Sequence, residues 1–290
     1  TGRPVALCVY AQGNEPQVIQ QEIGLPVFAE IEEAVRGLAA SREYYRWQAS
    51  RAGAKPHPVG APPPEAEVLL AEAGVLTTDR ALALCRAYGI PVAPWEIAAD
   101  PEQAARAADR LGYPVTIKFL STQVMHKSDV GGVILGLADG PAVRREAEAM
   151  LACVAQRVPQ AGPARLMVQP MVVGGVEVIL GGKRDPSFGP VVMFGLGGVH
   201  VEVLDDVAFR VAPLSQADAE EIIEEVRGSR LLEGVRGGAP ADRGALIRAL
   251  LALSRLLVEN PRLVEVDINP LVVFEKGAAA VDARAVVRQP

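Results

Sequence analysis

The order of apolar and polar positions divides the chain into two regions joined by a proline-rich stretch. In residues 1–50, the apolar runs 5–10 and 26–28 predict strands, and apolar side chains three and four positions apart predict a helix over 30–40. Residues 51–64 are rich in proline and glycine, a composition typical of an extended linker. We therefore expect residues 1–50 to form a separate β-α-β-α piece of a parallel sheet.

Beyond the linker, helical and strand patterns alternate along residues 65–290. Helices are predicted at 65–73, 81–88, 101–111, 142–158, 216–227 and 243–259, and strands at 90–94, 115–119, 133–137, 165–169, 176–181, 191–194, 264–268 and 279–281. We interpret this region as an α+β domain with a small lobe to about residue 168 and a large lobe over 169–290.

Composition and charge exclude several classes of protein. Half of the 290 residues are apolar, which is enough for a folded core, and the net charge of −6 argues against nucleic-acid binding because phosphate backbones need a basic surface. No apolar run is long enough to span a membrane. The three cysteines are widely spaced and odd in number, which indicates free thiols in a reducing compartment. We expect a cytoplasmic protein that binds neither nucleic acid nor membrane.

A lysine within a buried strand is the first chemical signal. Lys118 lies in the apolar strand 115–119, and a buried ammonium group needs an anion. The following segment, HKSDVGG at 126–132, supplies a second lysine, a hydroxyl group and two glycines, whose backbone N–H groups can approach phosphate oxygens. A neutral imidazole at His126 can also accept a phosphoryl group. A phosphate-binding turn and a solvated β-hairpin turn both fit this segment by itself.

A polar stripe in an apolar strand near the C-terminus is the second signal. Glu265, Asp267 and Asn269 alternate, so they lie on one face of the strand, and Asp282 follows soon afterwards. Carboxylate and amide oxygens suit Mg²⁺, which proteins usually hold by one or two groups together with substrate phosphates. A solvated polar face is the alternative, but the neighbouring positions are apolar and a buried carboxylate needs a cation. The pattern favours a metal site.

Six segments occur together in an order that resembles a known family. They are residues 112–118, 126–133, 185–190, 194–198, 210–214 and 267–271. They are similar to the ATP-grasp part of the NDP-forming acyl-CoA synthetases, which include the ADP-forming acetate–CoA ligases and are related to succinyl-CoA synthetase. The resemblance covers about residues 65–290 and implies a two-lobed ATP-grasp fold. Residues 1–48 resemble the end of the flavodoxin-like CoA-ligase subdomain that precedes it.

The resemblance implies a phosphoryl relay that interconverts acyl-CoA, ADP and phosphate with the free acid, CoA and ATP. A histidine carries the phosphoryl group, and the ATP-grasp half exchanges it with ADP. In this sequence Lys118 matches the lysine that binds the nucleotide phosphates. The expected phosphate loop comprises His126, Lys127, Ser128, Gly131 and Gly132, and His126 also matches a histidine proposed to accept the phosphoryl group on the ATP side.

The other implied ligands lie further along the chain. Gln169 matches the hinge where adenine binds, and Glu177 matches an acidic residue near the nucleotide sugar. Asn269 and Asp282 match the two Mg²⁺ ligands, and Asp267 with Glu265 would support them. The cofactors implied are ATP or ADP and Mg²⁺.

The chain shows neither the CoA-binding domain of the family nor its swinging phosphohistidine segment. The resemblance therefore implies a partner, either a CoA-ligase domain or an α-type subunit, that carries this histidine and binds CoA and the acid. Two alternatives remain: a non-catalytic synthetase-like regulatory domain of a protein acetyltransferase, and an ATP-grasp carboxylate–amine ligase. Phosphorylation of His126 would distinguish the first interpretation from both.

Overall fold

The computed structural model describes residues 5–9, 15–50, 60–122, 131–157, 165–197, 206–234 and 239–289. The chain separates into two compact units, residues 1–55 and 56–290. The division falls inside the proline-rich stretch.

The first unit contains two short parallel strands and two helices. Its elements are β1 (Leu7–Cys8), α1 (Glu15–Ile23), β2 (Val27–Phe28) and α2 (Ile31–Ser50). Leu7 pairs with Val27 in the parallel register. Helix α2 approaches β2 closely because Gly37 has no side chain: a Cβ there would lie 2.8 Å from Cζ of Phe28. The strand–helix order agrees with the sequence pattern, although α2 continues to Ser50 instead of ending near residue 40.

The second unit contains two antiparallel sheets and their helices. Its elements are α3 (Pro64–Leu69), β3 (Gly74–Leu76), α4 (Thr78–Ala87), β4 (Glu96–Ala98), α5 (Pro101–Leu111), β5 (Val115–Phe119), β6 (Val133–Leu137), α6 (Gly140–Arg157), β7 (Leu166–Pro170), β8 (Val176–Asp185), β9 (Gly189–Leu196), β10 (Val207–Val211), α7 (Gln216–Glu225), a 3₁₀ helix (Arg227–Glu233), α8 (Arg243–Glu259), β11 (Leu263–Val273), β12 (Ala278–Ala280) and β13 (Ala283–Val287).

The smaller sheet has the strand order β4-β7-β5-β6, and all its pairs are antiparallel. Successive side chains of a strand point to opposite faces. Val115, Ile117 and Phe119 of β5 therefore pack in one buried cluster with residues of α5 and α6. Thr116 and Lys118 are also buried, but they lie on the opposite face of the sheet.

The larger sheet has the order β10-β9-β8-β11-β13-β3, and β12 pairs with β11. One face carries Leu180, Phe194 and Ile268, which belong to the same buried cluster as Leu250 and Leu253 of α8. The opposite face carries the polar residues of β11, so the sheet has one core face and one face available for a ligand.

The segment 64–90 belongs to the larger lobe, which differs from the small lobe expected to begin at residue 65. Strand β3 pairs with β13, with Leu76 opposite Ala285, and Leu82 and Leu84 of α4 lie in the core of the larger lobe. The smaller lobe is therefore the segment from β4 to β7. This difference arises because a three-residue strand gives almost no periodic signal, and its partner is distant in sequence.

Local sequence signals explain several helix ends. Helix α5 begins at Pro101, and the carboxylate of the preceding Asp100 accepts a hydrogen bond from the N–H of Gln103 at 2.7 Å. Ser215 and Asp218 form a reciprocal capping box at the start of α7.

The strand predicted at 90–94 is wrong, because the structure has only an isolated bridge there, at Val92. Within the described ranges, no helix has the length and apolar character needed to cross a membrane.

Candidate functional site

Lys118 connects the two lobes. The residue is only 4% exposed, and Nζ donates a hydrogen bond to the main-chain oxygen of Val281 at 2.8 Å. Nζ also lies 3.6 Å from Oδ2 of Asp282. Lys118 comes from β5 of the smaller sheet, whereas Asp282 immediately precedes β13 of the larger one. The structure thus brings together the lysine and the aspartate that the sequence selects for phosphate and metal.

Asp282 has a carboxylate with two different environments. Oδ1 accepts hydrogen bonds from the Thr78 hydroxyl at 3.1 Å and from the N–H of Ala283 at 2.8 Å. Oδ2 faces Lys118. The N–H of Asn269 donates to the main-chain oxygen of Asp282 at 3.2 Å, so the two expected metal ligands are neighbours.

The residues present fit a divalent cation. Asn269, which is exposed, and Asp282 offer an amide oxygen and a carboxylate oxygen, a donor set suited to Mg²⁺ that also contacts phosphates. The ammonium group of Lys118 lies beside Oδ2 of Asp282, so this oxygen already faces a positive charge. In the described part of the chain, no group of three or more His, Cys, Asp or Glu side chains has the arrangement of a metal site. A two-ligand site completed by nucleotide phosphates is consistent with that finding.

Gln169 is a buried side chain whose polar atoms have no hydrogen-bond partner in the described part of the chain. It lies opposite Thr116 in the β5–β7 pair, so it is on the same face as Lys118. The residue is 1% exposed, and neither Oε1 nor Nε2 has a hydrogen-bond partner among the described residues. Such groups are costly to bury, so an unsatisfied amide at the end of β7 indicates a ligand with both a donor and an acceptor.

Glu177 lies at the start of β8 on the border of a cavity of about 520 Å³. Its main-chain oxygen accepts a hydrogen bond from the N–H of Gly197 at 2.7 Å. A Cβ at position 197 would lie 2.9 Å from Cβ of Glu177, so only glycine allows this contact without displacement. Apolar residues together with the acidic residues Glu177 and Glu275 line the cavity, a combination that suits an apolar ring bearing hydroxyl groups.

Further polar side chains lie along β11 next to Asn269. Asp267 lies opposite Gly181 of β8 and Arg284 of β13, and Glu265 accepts a hydrogen bond from Nη1 of Arg284 at 3.1 Å. Burial, together with repulsion from Glu265, raises the pKa of Asp267, and Arg284 partly opposes this shift. Glu265 is therefore paired with an arginine, and Asp267 is the half-buried carboxylate beside the candidate metal site.

The structure describes only part of the expected phosphate loop. His126, Lys127 and Ser128 lie outside the described residues. Gly131 has a positive φ of 71°, a conformation that favours glycine, and the carbonyl oxygen of Gly132 accepts a hydrogen bond from the N–H of Phe119 at 2.8 Å. Both glycines thus lead directly into β6 beside β5.

Two polar residues at this site were not selected from the sequence. Neither Thr78 nor Arg284 is assigned a role from the sequence. The partner of each residue is distant in sequence: Thr78 contacts Asp282, and Arg284 contacts Glu265 across two strands. The sequence gives no local signal for either contact, although the position of Arg284 two residues after Asp282 places both on one face of a strand.

Two antiparallel sheets meet at a lysine, next to an Asn–Asp pair and a buried amide that has no hydrogen-bond partner within the described ranges. This arrangement is that of a two-lobed nucleotide-binding protein. The profile of the ATP-grasp domain matches residues 67–287. The chain belongs to the ATP-grasp family, in the branch of the ADP-forming acetate–CoA ligases.

Three comparisons support this assignment. The β subunit of acetate–CoA ligase (ADP-forming) I of Pyrococcus furiosus is 39% identical over 75% of this chain and 94% of its own length. The acetate–CoA ligase (ADP-forming) I of Archaeoglobus fulgidus is 40% identical over 97% of this chain, which spans 42% of that relative. A structure of acetyl-coenzyme A synthetase 1 of Ca. Korarchaeum cryptofilum has a TM-score of 0.67 at 41% identity, covering 77% of this chain and 100% of that one.

Proposed function

We propose that this chain carries out the nucleotide-side half-reaction of an ADP-forming acyl-CoA synthetase. In the direction of ATP synthesis, the phosphorylated form of His126 transfers its phosphoryl group to ADP. The P–N bond to imidazole breaks, a P–O bond to the terminal phosphate of ADP forms, and the released imidazole nitrogen takes up one proton. The whole enzyme would convert acyl-CoA, ADP and phosphate into the acid, CoA and ATP.

The observation that carries this proposal is the contact of Lys118 with Asp282. A buried lysine of the smaller lobe and a half-buried aspartate of the larger lobe form a cationic and anionic pair where a metal–nucleotide complex would bridge the lobes. Phosphoryl transfer needs mainly positioning and neutralisation of charge, which lysine, backbone N–H groups and a bound Mg²⁺ supply. Bound Mg²⁺ would neutralise phosphate charge there.

Each remaining residue has a distinct role in this proposal. The Gln169 amide binds the edge of the base, and the Glu177 carboxylate accepts hydrogen bonds from the sugar hydroxyls. Asn269 and Asp282 hold Mg²⁺. His126, with Lys127, Ser128, Gly131 and Gly132, contacts the transferred phosphoryl group, and His126 is its acceptor on the nucleotide side.

The proposed partner is a CoA-ligase domain or an α-type subunit that carries the swinging phosphohistidine and binds CoA and the acid. Two findings support it: relatives of this chain are β subunits, and the Korarchaeum structure contains Mg-AMPPCP and coenzyme A, with a phosphohistidine segment pointing towards the nucleotide-binding site.

The cysteines of the present chain are free, which supports a reducing, cytoplasmic location.

The test is phosphorylation by ATP labelled at the γ-phosphate in the presence of Mg²⁺. We expect an acid-labile, base-stable label that mass spectrometry locates on His126, that is absent from His126→Ala, and that added ADP removes. Binding of Mg-ADP is measured by calorimetry in parallel. Lys118→Met should weaken it by about 10- to 150-fold, the equivalent of one charged hydrogen bond of about 1.5–3 kcal/mol.

The matched control is Lys276→Met, because Lys276 is an exposed lysine in the turn between β11 and β12. The proposal fails if the chain does not bind Mg-ADP, or if Lys118→Met binds as well as Lys276→Met. Binding without any label on His126 would mean that His126 only lines the pocket, and that the chain is either a regulatory nucleotide-binding domain or a half-enzyme that needs its partner's histidine.

A further inference from the structure

Thr78 is a buried hydroxyl residue between helix α4 and the candidate metal site. It is the first residue of α4 and is 2% exposed. The helix behind it is held by Leu82, Leu84 and Cys85, all buried in the core of the larger lobe. Its position is therefore fixed by packing that is independent of any ligand.

The Thr78 hydroxyl determines how the Asp282 carboxylate is oriented. Oδ1 of Asp282 accepts two hydrogen bonds, from Oγ1 of Thr78 at 3.1 Å and from the N–H of Ala283 at 2.8 Å. Two donors on one oxygen fix the plane of the carboxylate. The other oxygen, Oδ2, is then directed to Lys118.

We infer that Thr78 is a positioning residue for the divalent cation. It occupies one oxygen of Asp282 and so presents the other to the metal beside Asn269. This inference rests on the proposed function, because it assumes that Asp282 is a metal ligand. Groups that orient metal ligands are known to change metal affinity by about 10- to 100-fold when they are removed.

The adjacent Thr77 provides a matched control. Its Oγ1 is also buried, but it has no hydrogen-bond partner among the described residues, and its side chain does not cap α4. Replacing Thr77 by valine removes a hydroxyl that makes no hydrogen bond within the described part of the chain, whereas the same replacement at Thr78 removes the hydrogen bond to Asp282.

The experiment measures Mn²⁺ binding by the full chain with saturating ADP, through the electron paramagnetic resonance signal of free Mn²⁺. We expect Thr78→Val and Thr78→Ala to bind Mn²⁺ about 10- to 100-fold more weakly than the unchanged chain. Thr78→Ser should restore binding, because serine keeps the hydroxyl, and Thr77→Val should leave it unchanged. Affinity for ADP without metal should not change in any variant.

Each outcome has a definite meaning. If Thr78→Val binds Mn²⁺ as tightly as the unchanged chain, Thr78 has no positioning role, while the proposed function stands. If Thr77→Val is weakened equally, the effect belongs to helix packing, and the inference is wrong. If the unchanged chain binds no Mn²⁺ with ADP, the proposed function itself fails. Thr78→Ala and Thr78→Ser answer the question should valine prevent folding, which circular dichroism reports.

Discussion

Replacement of Gln169 by methionine should change stability and nucleotide binding in opposite directions. The free chain holds this amide in a buried position where neither polar atom is satisfied among the described residues. Burying a whole side-chain amide without hydrogen bonds costs about 1–3 kcal/mol. Methionine has a similar shape without these groups, so we expect Gln169→Met to stabilise the free chain by about 1–3 kcal/mol.

Such a gain raises the melting temperature of the second unit by roughly 2–4 °C per kcal/mol, which differential scanning calorimetry measures. Binding of ADP should weaken, because the base loses two hydrogen bonds of about 0.5–1.5 kcal/mol each, or about 5- to 150-fold together. Isothermal titration calorimetry with Mg-ADP measures this loss. Gln169→Glu is the control, because it keeps a polar group of the same length.

The reasoning is refuted if Gln169→Met is less stable than the unchanged chain and binds Mg-ADP equally well. That result would mean that the amide supports the fold and not a ligand. A stabilised variant with undiminished binding would also remove Gln169 from the nucleotide site.

Two other predictions concern the surroundings of the site. Gly197→Ala places a Cβ 2.9 Å from Cβ of Glu177, so we expect a loss of about 1–3 kcal/mol in thermal unfolding, and an unchanged melting temperature would contradict the close contact. Hydrogen bonds from the N–H groups of Gly277 and Ala245 lower the pKa of Asp242. The Asp242 carboxylate therefore stabilises the fold fully at pH values above its pKa in the unfolded chain, which is about 4. This stabilisation is lost as the pH falls through the lower pKa that Asp242 has in the folded chain. The melting temperatures of Asp242→Asn and the unchanged chain should differ from pH 5 to 8 and converge below about pH 4; a constant difference at all pH values would show that the charge is not responsible.

Sequence patterns predict elements well where the signal is local. Helix α5 follows from Asp100, Pro101 and a regular apolar stripe, and its observed bounds agree with the predicted 101–111. Strand β5 has the predicted bounds 115–119 because it is a short apolar run that begins just after proline. In both cases the information lies within a few residues.

Long-range pairing limits the prediction of both the fold and the site. Strands β3 and β10 lie at the edges of the larger sheet and were not predicted, since each is short and depends on its neighbour. Lys118 and Asp282 were each selected from residue type and resemblance, but their contact could not be predicted from spacing. Thr78 was missed for the same reason: its function depends on a carboxylate brought close by the pairing of β13.

The position of β13 between β11 and β3 also determines when the larger lobe can complete its folding during synthesis. Ribosomes add about 5–20 residues per second, so residues 64–90 emerge roughly 10–40 s before the last strand. All strands of the smaller lobe lie between residues 96 and 170, and that lobe can close in the meantime. Until β13 arrives, the apolar side of α4 and the edge of β3 remain uncovered, and the nascent chain is most open to aggregation and to chaperones during this interval.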